Sequence, residues 1–336
     1  MEEKLLVVEN LTTSFHLQNG WFSAIEDLSF TLNSNETLAL VGESGCGKSV
    51  TAYSIMNLLP KPGSRIDRGS VLFHGKDLIG LPESEMRALR GSKLAMIFQE
   101  PMTSLNPALT IGQQIAEVLF YHMGTGRKEA LKGALELLEQ VKIPAAKTRL
   151  NDYPHHLSGG MRQRVMIAMA LAGRPEIMLA DEPTTALDVT IQAQVLALLD
   201  DLKQELKMSM IFITHDMGVV ARVADRVAVM YGGYLAEVAP VEDLFANPVH
   251  PYTDALLKSV PRLDRDINDL NPIPGLVPSI DRMPAGCRFA ERCEYKIDIC
   301  EQQMPELTPI SNAGNHSVRC WVRGVQATSN GETEHE

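Results

Sequence analysis

An α/β fold built on a mainly parallel sheet is predicted by three observations. Short apolar runs recur at 5–8, 37–41, 71–73, 94–98, 177–180, 210–214 and 227–231. Several are continuous rather than alternating, as strands covered on both faces should be. Helical patterns lie between some of them, which favours parallel crossovers, with antiparallel strands near the N-terminus. The third observation is local. The run Leu38-Ala39-Leu40-Val41 leads into Gly42-Glu43-Ser44-Gly45-Cys46-Gly47-Lys48-Ser49, and a helical stretch from Val50 to Leu59 follows.

That third stretch is G-x-x-x-x-G-K-S in a strand–loop–helix setting, the arrangement that cradles phosphates. Gly42, Gly45 and Gly47 allow backbone N–H groups around Ser44, Cys46 and Val50 to turn toward an anion. The helix start behind adds its positive end. Lys48 offers a point charge to the outer phosphates, and the Ser49 hydroxyl can ligate magnesium. The chain is therefore expected to bind a nucleoside triphosphate.

Bulk properties narrow the class. The 336 residues, 45% hydrophobic, suffice for one large domain plus an appendage, or for two domains. A net charge of −11 disfavours wide nucleic-acid contact, so no nucleic-acid partner is expected. No uncharged apolar run approaches the ~18–20 residues that span a bilayer. Met1-Glu2-Glu3-Lys4 lacks a signal-peptide layout, so a cytosolic chain is expected, with any membrane role coming through a partner.

From about 104 to 171 the pattern is helices and loops without a clear strand. Leu131, Leu135, Leu138 and Val141 recur at helical spacing. This stretch reads as a helical subdomain inserted into the sheet core. Within it, Leu157-Ser158-Gly159-Gly160 precedes another helix; Ser158 is a natural cap, and the glycines permit close approach. The run Ile177-Met178-Leu179-Ala180 then ends in Asp181-Glu182. A carboxylate at that strand end can hold magnesium, the role expected of Asp181, and Glu182 can orient or deprotonate an attacking water. Ten of the 19 prolines fall between Pro240 and Pro309, so long regular elements are improbable there. The polar stretch 326–336 reads as a disordered tail, and no internal repeat is seen.

Taken together these motifs resemble the ATP-binding cassette (ABC) ATPases over roughly residues 5–240. Ser158, Gly159 and Gly160 match the family's signature helix start. Gln99 resembles the Q-loop glutamine, Ala186-Leu187-Asp188 the D-loop, and His215 the switch histidine. Phe15 stands where the family carries an aromatic that stacks on adenine, with Trp21 and Phe22 as alternatives. The resemblance implies a P-loop NTPase cassette (1–240), an irregular extension (241–325) and the tail. It further implies ATP and Mg²⁺ as ligands, the ion held by Ser49, Gln99 and Asp181. Glu182 would be the base, His215 a γ-phosphate contact and Gln99 a sensor. Asp188 and the Ser158 helix start would contact nucleotide in a head-to-tail pair of cassettes.

The motif Phe98-Gln99-Glu100-Pro101-Met102-Thr103-Ser104-Leu105-Asn106-Pro107 is similar to the oligopeptide and dipeptide permease ATPases. So is His250-Pro251-Tyr252-Thr253 in the extension. This narrower likeness implies the first-type ATPase subunit of a peptide importer, peripheral at the cytoplasmic face of the cell membrane. Its partners would be a second related ATPase, two integral-membrane permeases and an extracytoplasmic substrate-binding protein. Nickel and glutathione importers share the architecture and stay open. A non-transport cassette of translation or repair type is disfavoured by the single cassette and the short 98–157 interval. An exporter is disfavoured by the extension.

Cys287, Cys293, Cys300 and Cys320 cluster late, spaced C-x5-C-x6-C and then nineteen residues. Clustered thiols in a reducing setting suggest an iron–sulfur cluster, zinc, or free buried thiols, and the lack of C-x2-C pairs disfavours zinc. The permease likeness implies a [4Fe–4S] cluster stapling the extension. An iron–sulfur site is therefore the expectation.

Overall fold

The structure is a computed structural model and describes residues 4–185, 187–259, 273–310 and 315–324. The tail expected at 326–336, and Ala186 of the D-loop, lie outside the described residues. Along the chain the strands are Lys4–Leu17 (β1), Gly20–Asn33 (β2), Thr37–Val41 (β3), Ser64–Phe73 (β4), Lys76–Asp77 (β5), Leu94–Ile97 (β6), Ile177–Asp181 (β7), Ser209–Thr214 (β8), Arg226–Tyr231 (β9), Tyr234–Pro240 (β10), Thr308–Pro309 (β11) and Ser317–Val318 (β12). They fall into two compact units.

Unit one comprises Asn33–Glu36 and Gly80–Ile213. Its strands run parallel in the order β8-β7-β6, with Ile177 opposite both Leu94 and Ser209. Every residue of β7 and β8 is buried, which is why both read as continuous apolar runs. The helices Ile111–Met123, Arg127–Gln140 and Gly159–Leu171 follow one another without an intervening strand. In Arg127–Gln140 the buried side chains are Ala130, Ala134 and Leu138, with Val141 just beyond, whereas Leu131 is 45% exposed. Of the residues that the sequence pattern singles out, Leu138 and Val141 are buried as expected, Leu135 is half-buried and Leu131 faces outward, with Ala130 and Ala134 completing the inward stripe. Small alanines on the inner face let two helices approach closely, which a purely hydrophobic count does not see.

Unit two comprises Lys4–Leu32, Thr37–Ile79 and the described residues from Thr214 onward. An antiparallel sheet is ordered β2-β1-β4-β5, and a second set runs β11-β12-β10-β9-β3. Strand β3 pairs parallel with β9, Leu38 opposite Arg226. Strands β9, β10 and β12 pair antiparallel. The long strand β2 carries no clear sequence signal. Its buried residues Ile25, Leu28, Phe30 and Leu32 lose the two-residue period at Asp27, which sits at φ 51. Strand β10 is equally hard to read, because a wholly buried Glu237 interrupts its apolar run.

The extension is packed onto this second set. Tyr252 and Phe289 share a buried cluster with Val41, Val229, Tyr231 and Leu244, and Cys287 and Cys293 pack against it. This corrects the expectation of an iron–sulfur or other metal site at Cys287, Cys293, Cys300 and Cys320. Among the described residues no group of His, Cys, Asp or Glu side chains is arranged to hold a metal ion. All four cysteines are free thiols. Burial pushes the Cys287 thiol up to about 12 and raises those of Cys293 and Cys320. The segment is joined by other means, including Cys287 N–H to the Cys300 carbonyl at 2.7 Å.

The polar anchor of the extension is Glu237. Its carboxylate accepts from the backbone N–H of Val249 (2.9 Å) and His250 (2.8 Å) and meets His316 Nε2 at 2.7 Å. A carboxylate with no solvent access persists only with such a full set of partners.

Candidate functional site

Each unit carries part of the predicted constellation. In unit two the phosphate loop leaves β3 at Gly42, where φ is 149 and an added Cβ would lie 2.2 Å from the Met230 carbonyl oxygen. At Gly47, with φ 102, the same addition would meet Ile25 at 2.5 Å. Both positions demand glycine, for conformation and for space. Gly45 is also left-handed, while Ser44 and Gly45 are exposed. Gly47 caps the helix Lys48–Ile55, and Thr51 Oγ1 donates to its carbonyl at 3.0 Å.

Lys48 is buried, and its ammonium donates to the carbonyls of Gly42 (2.7 Å) and Glu43 (3.0 Å). The cation is thereby held to the loop itself, where a phosphate would need it. Cys46 is wholly buried; burial pushes its thiol up, and its side chain serves packing beneath Gly42. Ser49 and Val50 are half-buried in the first helical turn. Phe15 lies half-buried in β1 opposite Ser64. Trp21 is 38% exposed, and the Arg65 guanidinium covers its ring at 4.1 Å. His215 is exposed after β8, and the next residue, Asp216, caps the helix Met217–Val223.

In unit one Asp181 ends β7 and is fully buried, while Glu182 follows with φ 46. A left-handed glutamate costs roughly 1 kcal/mol, and such strain gathers where a side chain must be aimed. Here the Glu182 N–H donates to the Ile213 carbonyl at 2.9 Å. Its Oε2 accepts from Gln99 Nε2 at 3.2 Å and from Thr185 Oγ1 at 2.8 Å. The fold thus brings Gln99 and Glu182 together across 83 positions of sequence. Thr185, three residues after Glu182, is a new member of the set.

Ser158 caps the helix Gly159–Leu171, its Oγ accepting from Met161 N–H at 3.4 Å, and Ser158 and Gly159 are exposed. An added Cβ on Gly160 would meet Ile191 Cγ2 at 2.6 Å. Asp188 caps the neighbouring helix Val189–Leu206, accepting from Ile191 N–H at 2.9 Å. Ile191 therefore joins the two helix starts.

A family model described as ABC transporter matches residues 25–185, and one described as oligopeptide/dipeptide transporter, C-terminal region, matches residues 236–300. The dipeptide transport ATP-binding protein DppD of Bacillus subtilis is 50% identical over 97% of this chain and 96% of its own length.

The chain belongs to the ABC transporter family.

The oligopeptide transport ATP-binding protein AppD of the same organism is 51% identical over 95% of this ABC protein and 96% of its own length. A solved ATP-binding cassette, MJ0796, described as dimeric in a post-hydrolysis state with ADP and Pi, aligns with a TM-score of 0.64. It is 27% identical and covers 70% of this chain and 98% of its own. The mixed parallel and antiparallel architecture is that of the ABC cassette. Among the described residues no helix is long and apolar enough to cross a membrane.

Proposed function

We infer that this chain is the ATP-hydrolysing subunit of a peptide importer, driving uptake through separate membrane subunits. The observation that carries the reading is the end-to-end likeness to proteins named for dipeptide and oligopeptide transport, extension included. A phosphate loop alone suits many hydrolases; the matched C-terminal region narrows the class.

In this reading the loop N–H groups and Lys48 bind the outer phosphates, and Phe15 stacks on adenine. The Ser49 hydroxyl, the Asp181 carboxylate and the Gln99 amide oxygen are hard donors of the kind magnesium takes, and the ion would screen the phosphate charge. Glu182 takes up the proton of the attacking water, its carboxylate aimed by Gln99 and Thr185. His215 contacts the γ-phosphate. The exposed start of the Ser158–Gly160 helix faces the nucleotide of a neighbouring cassette, with Asp188 beside it. The neighbour is a second, related ATPase, and the pair lies peripherally on the cytoplasmic face of the membrane beneath two permeases fed by a binding protein. The test is reconstitution with the co-purifying membrane subunits in vesicles. ATP-dependent peptide uptake is expected; a chain that co-purifies with no membrane protein and is insensitive to peptide would defeat the reading.

An exposed apolar patch on unit one supports a membrane-subunit partner. Phe120 is 43%, Tyr121 71% and Met123 46% exposed, beside a groove that also includes Leu109, Gln113 and Leu131. Such side chains cluster where another protein covers them. The double variant Phe120→Glu, Tyr121→Glu is expected to bind ATP normally yet lose at least about tenfold in peptide-coupled uptake. Uptake at the unmodified rate would show that the permeases sit elsewhere.

A further inference from the structure

Glu43, the second residue of the phosphate loop, is held through each of its polar groups. Its backbone N–H donates to Tyr252 Oη at 2.9 Å. Its carboxylate accepts two bonds from the Arg292 guanidinium, at 2.6 and 3.1 Å. Its carbonyl accepts from Lys48 Nζ at 3.0 Å. Tyr252 and Arg292 both belong to the extension, so the extension is one residue away from the phosphate-binding lysine.

Neither group is free to move. Tyr252 is wholly buried, its ring 4.7 Å from that of Tyr231 and 5.4 Å from that of Phe289. The Arg292 side chain is 5% exposed and also donates to Tyr231 Oη (3.1 Å) and the Pro274 carbonyl (2.7 Å). Arg292 stays a cation throughout, because Glu43 and Tyr231 hold its proton against the cost of burial. Charge gives the arrangement its consequence. A loop that must accept a polyanion carries a carboxylate, which by itself would repel phosphate. The two-pronged pair neutralises that charge in a setting only partly screened by water. The Tyr252 hydroxyl meanwhile fixes the Gly42–Glu43 peptide plane, and hence the direction of the Gly42 carbonyl, which accepts from Lys48 Nζ at 2.7 Å.

We propose that Arg292 and Tyr252 are positioning residues for the nucleotide: acting through Glu43, they let the docked extension set the affinity of the phosphate loop for a nucleoside triphosphate. The proposal rests on the reading of the loop as the ATP site.

The test is titration of the full-length protein with a fluorescent ATP analogue, followed by KM and kcat in the assembled complex. Arg292→Gln is expected to weaken binding about tenfold, because Glu43 is left as an unpaired anion on the loop. On a Glu43→Gln background the further change Arg292→Gln should alter affinity by less than about threefold, because the anion that Arg292 neutralises is already gone. Tyr252→Phe keeps the ring packed and should weaken binding about threefold by removing one acceptor. The losses should fall on KM more than on kcat. A purely structural Arg292 would lower thermal stability and weaken binding equally on either background. Should Arg292→Gln fail to fold, Tyr252→Phe and Arg292→Lys, which keeps the charge and loses the fork, carry the test. Normal affinity in Arg292→Gln and Tyr252→Phe overturns the proposal, as does a loss from Arg292→Gln as large on the Glu43→Gln background as on the unaltered one. Lys48→Ala separates the two readings: if it alone loses nucleotide, only this proposal fails; if it too binds normally, the loop assignment is at fault.

Discussion

Replacing Glu182 by glutamine is expected to slow ATP hydrolysis about a hundredfold to a thousandfold in the assembled complex, with nucleotide affinity changed by less than about threefold. The amide is nearly isosteric and still accepts from Thr185 and Gln99, so the local structure should survive. What it lacks is a site basic enough to take a proton from water. Single-turnover hydrolysis and equilibrium nucleotide binding, measured side by side, check the two halves. Thr185→Ala and Gln99→Ala offer a graded comparison. Each removes one donor from Oε2 and should slow turnover by about threefold to tenfold, since the base remains but is less well aimed. Turnover of Glu182→Gln near that of the unaltered enzyme would remove Glu182 from the reaction and leave its left-handed backbone without a catalytic rationale.

Loss of the Glu237 carboxylate should have the largest effect on stability. Glu237→Ala leaves the N–H groups of Val249 and His250, and the ring of His316, without their shared acceptor inside the protein. A destabilisation of about 3–5 kcal/mol is expected, concentrated in the extension. Differential scanning calorimetry and limited proteolysis after residue 240 report it; an Ala variant that melts with the unaltered protein would mean that the anchor lies elsewhere. The same cluster predicts acid sensitivity. Burial pushes His250 down to about 4 from its ordinary 6.5, against the opposing pull of Glu237. As pH falls from 6.5 toward 4, the unfolded chain takes up a proton that the native imidazole refuses, and stability is lost by roughly 3 kcal/mol in the limit. Glu237 works in the same direction. Burial alone would raise its pKa, but the bonds from His316, Val249 and His250 outweigh it and hold the carboxyl below its usual 4.5. Its contribution is present above pH 4.5 and is lost as pH falls through its native value. Docking of the extension should therefore weaken progressively on acidification; a flat stability profile between pH 7 and 5 would count against a neutral His250.

The extension also shows where spacing misleads. Four cysteines close in sequence suggested a cluster, yet spacing counts only thiols and not their surroundings. Here Cys287 and Cys293 pack beside Tyr252 and Phe289, and among the described residues the four do not assemble a metal site. Arg292 shows the converse. Nothing around it in the chain points to the phosphate loop, and its pairing there comes from a carboxylate 249 positions away.

By itself the sequence determined the α/β class, the phosphate loop and the order of motifs that places the chain among ABC ATPases. Those features are local: glycines demanded by positive φ, a serine that caps its own helix, and strands whose burial on both faces makes them uniformly apolar. Only the tertiary structure decided which groups act as pairs. The meeting of Gln99 with Glu182, the hold of Tyr252 and Arg292 on Glu43, and the buried acceptor at Glu237 all depend on distant backbone segments being brought within hydrogen-bond reach. Hydrogen bonds act over about 3 Å and are indifferent to chain separation, so no reading of neighbours along the chain could have found them.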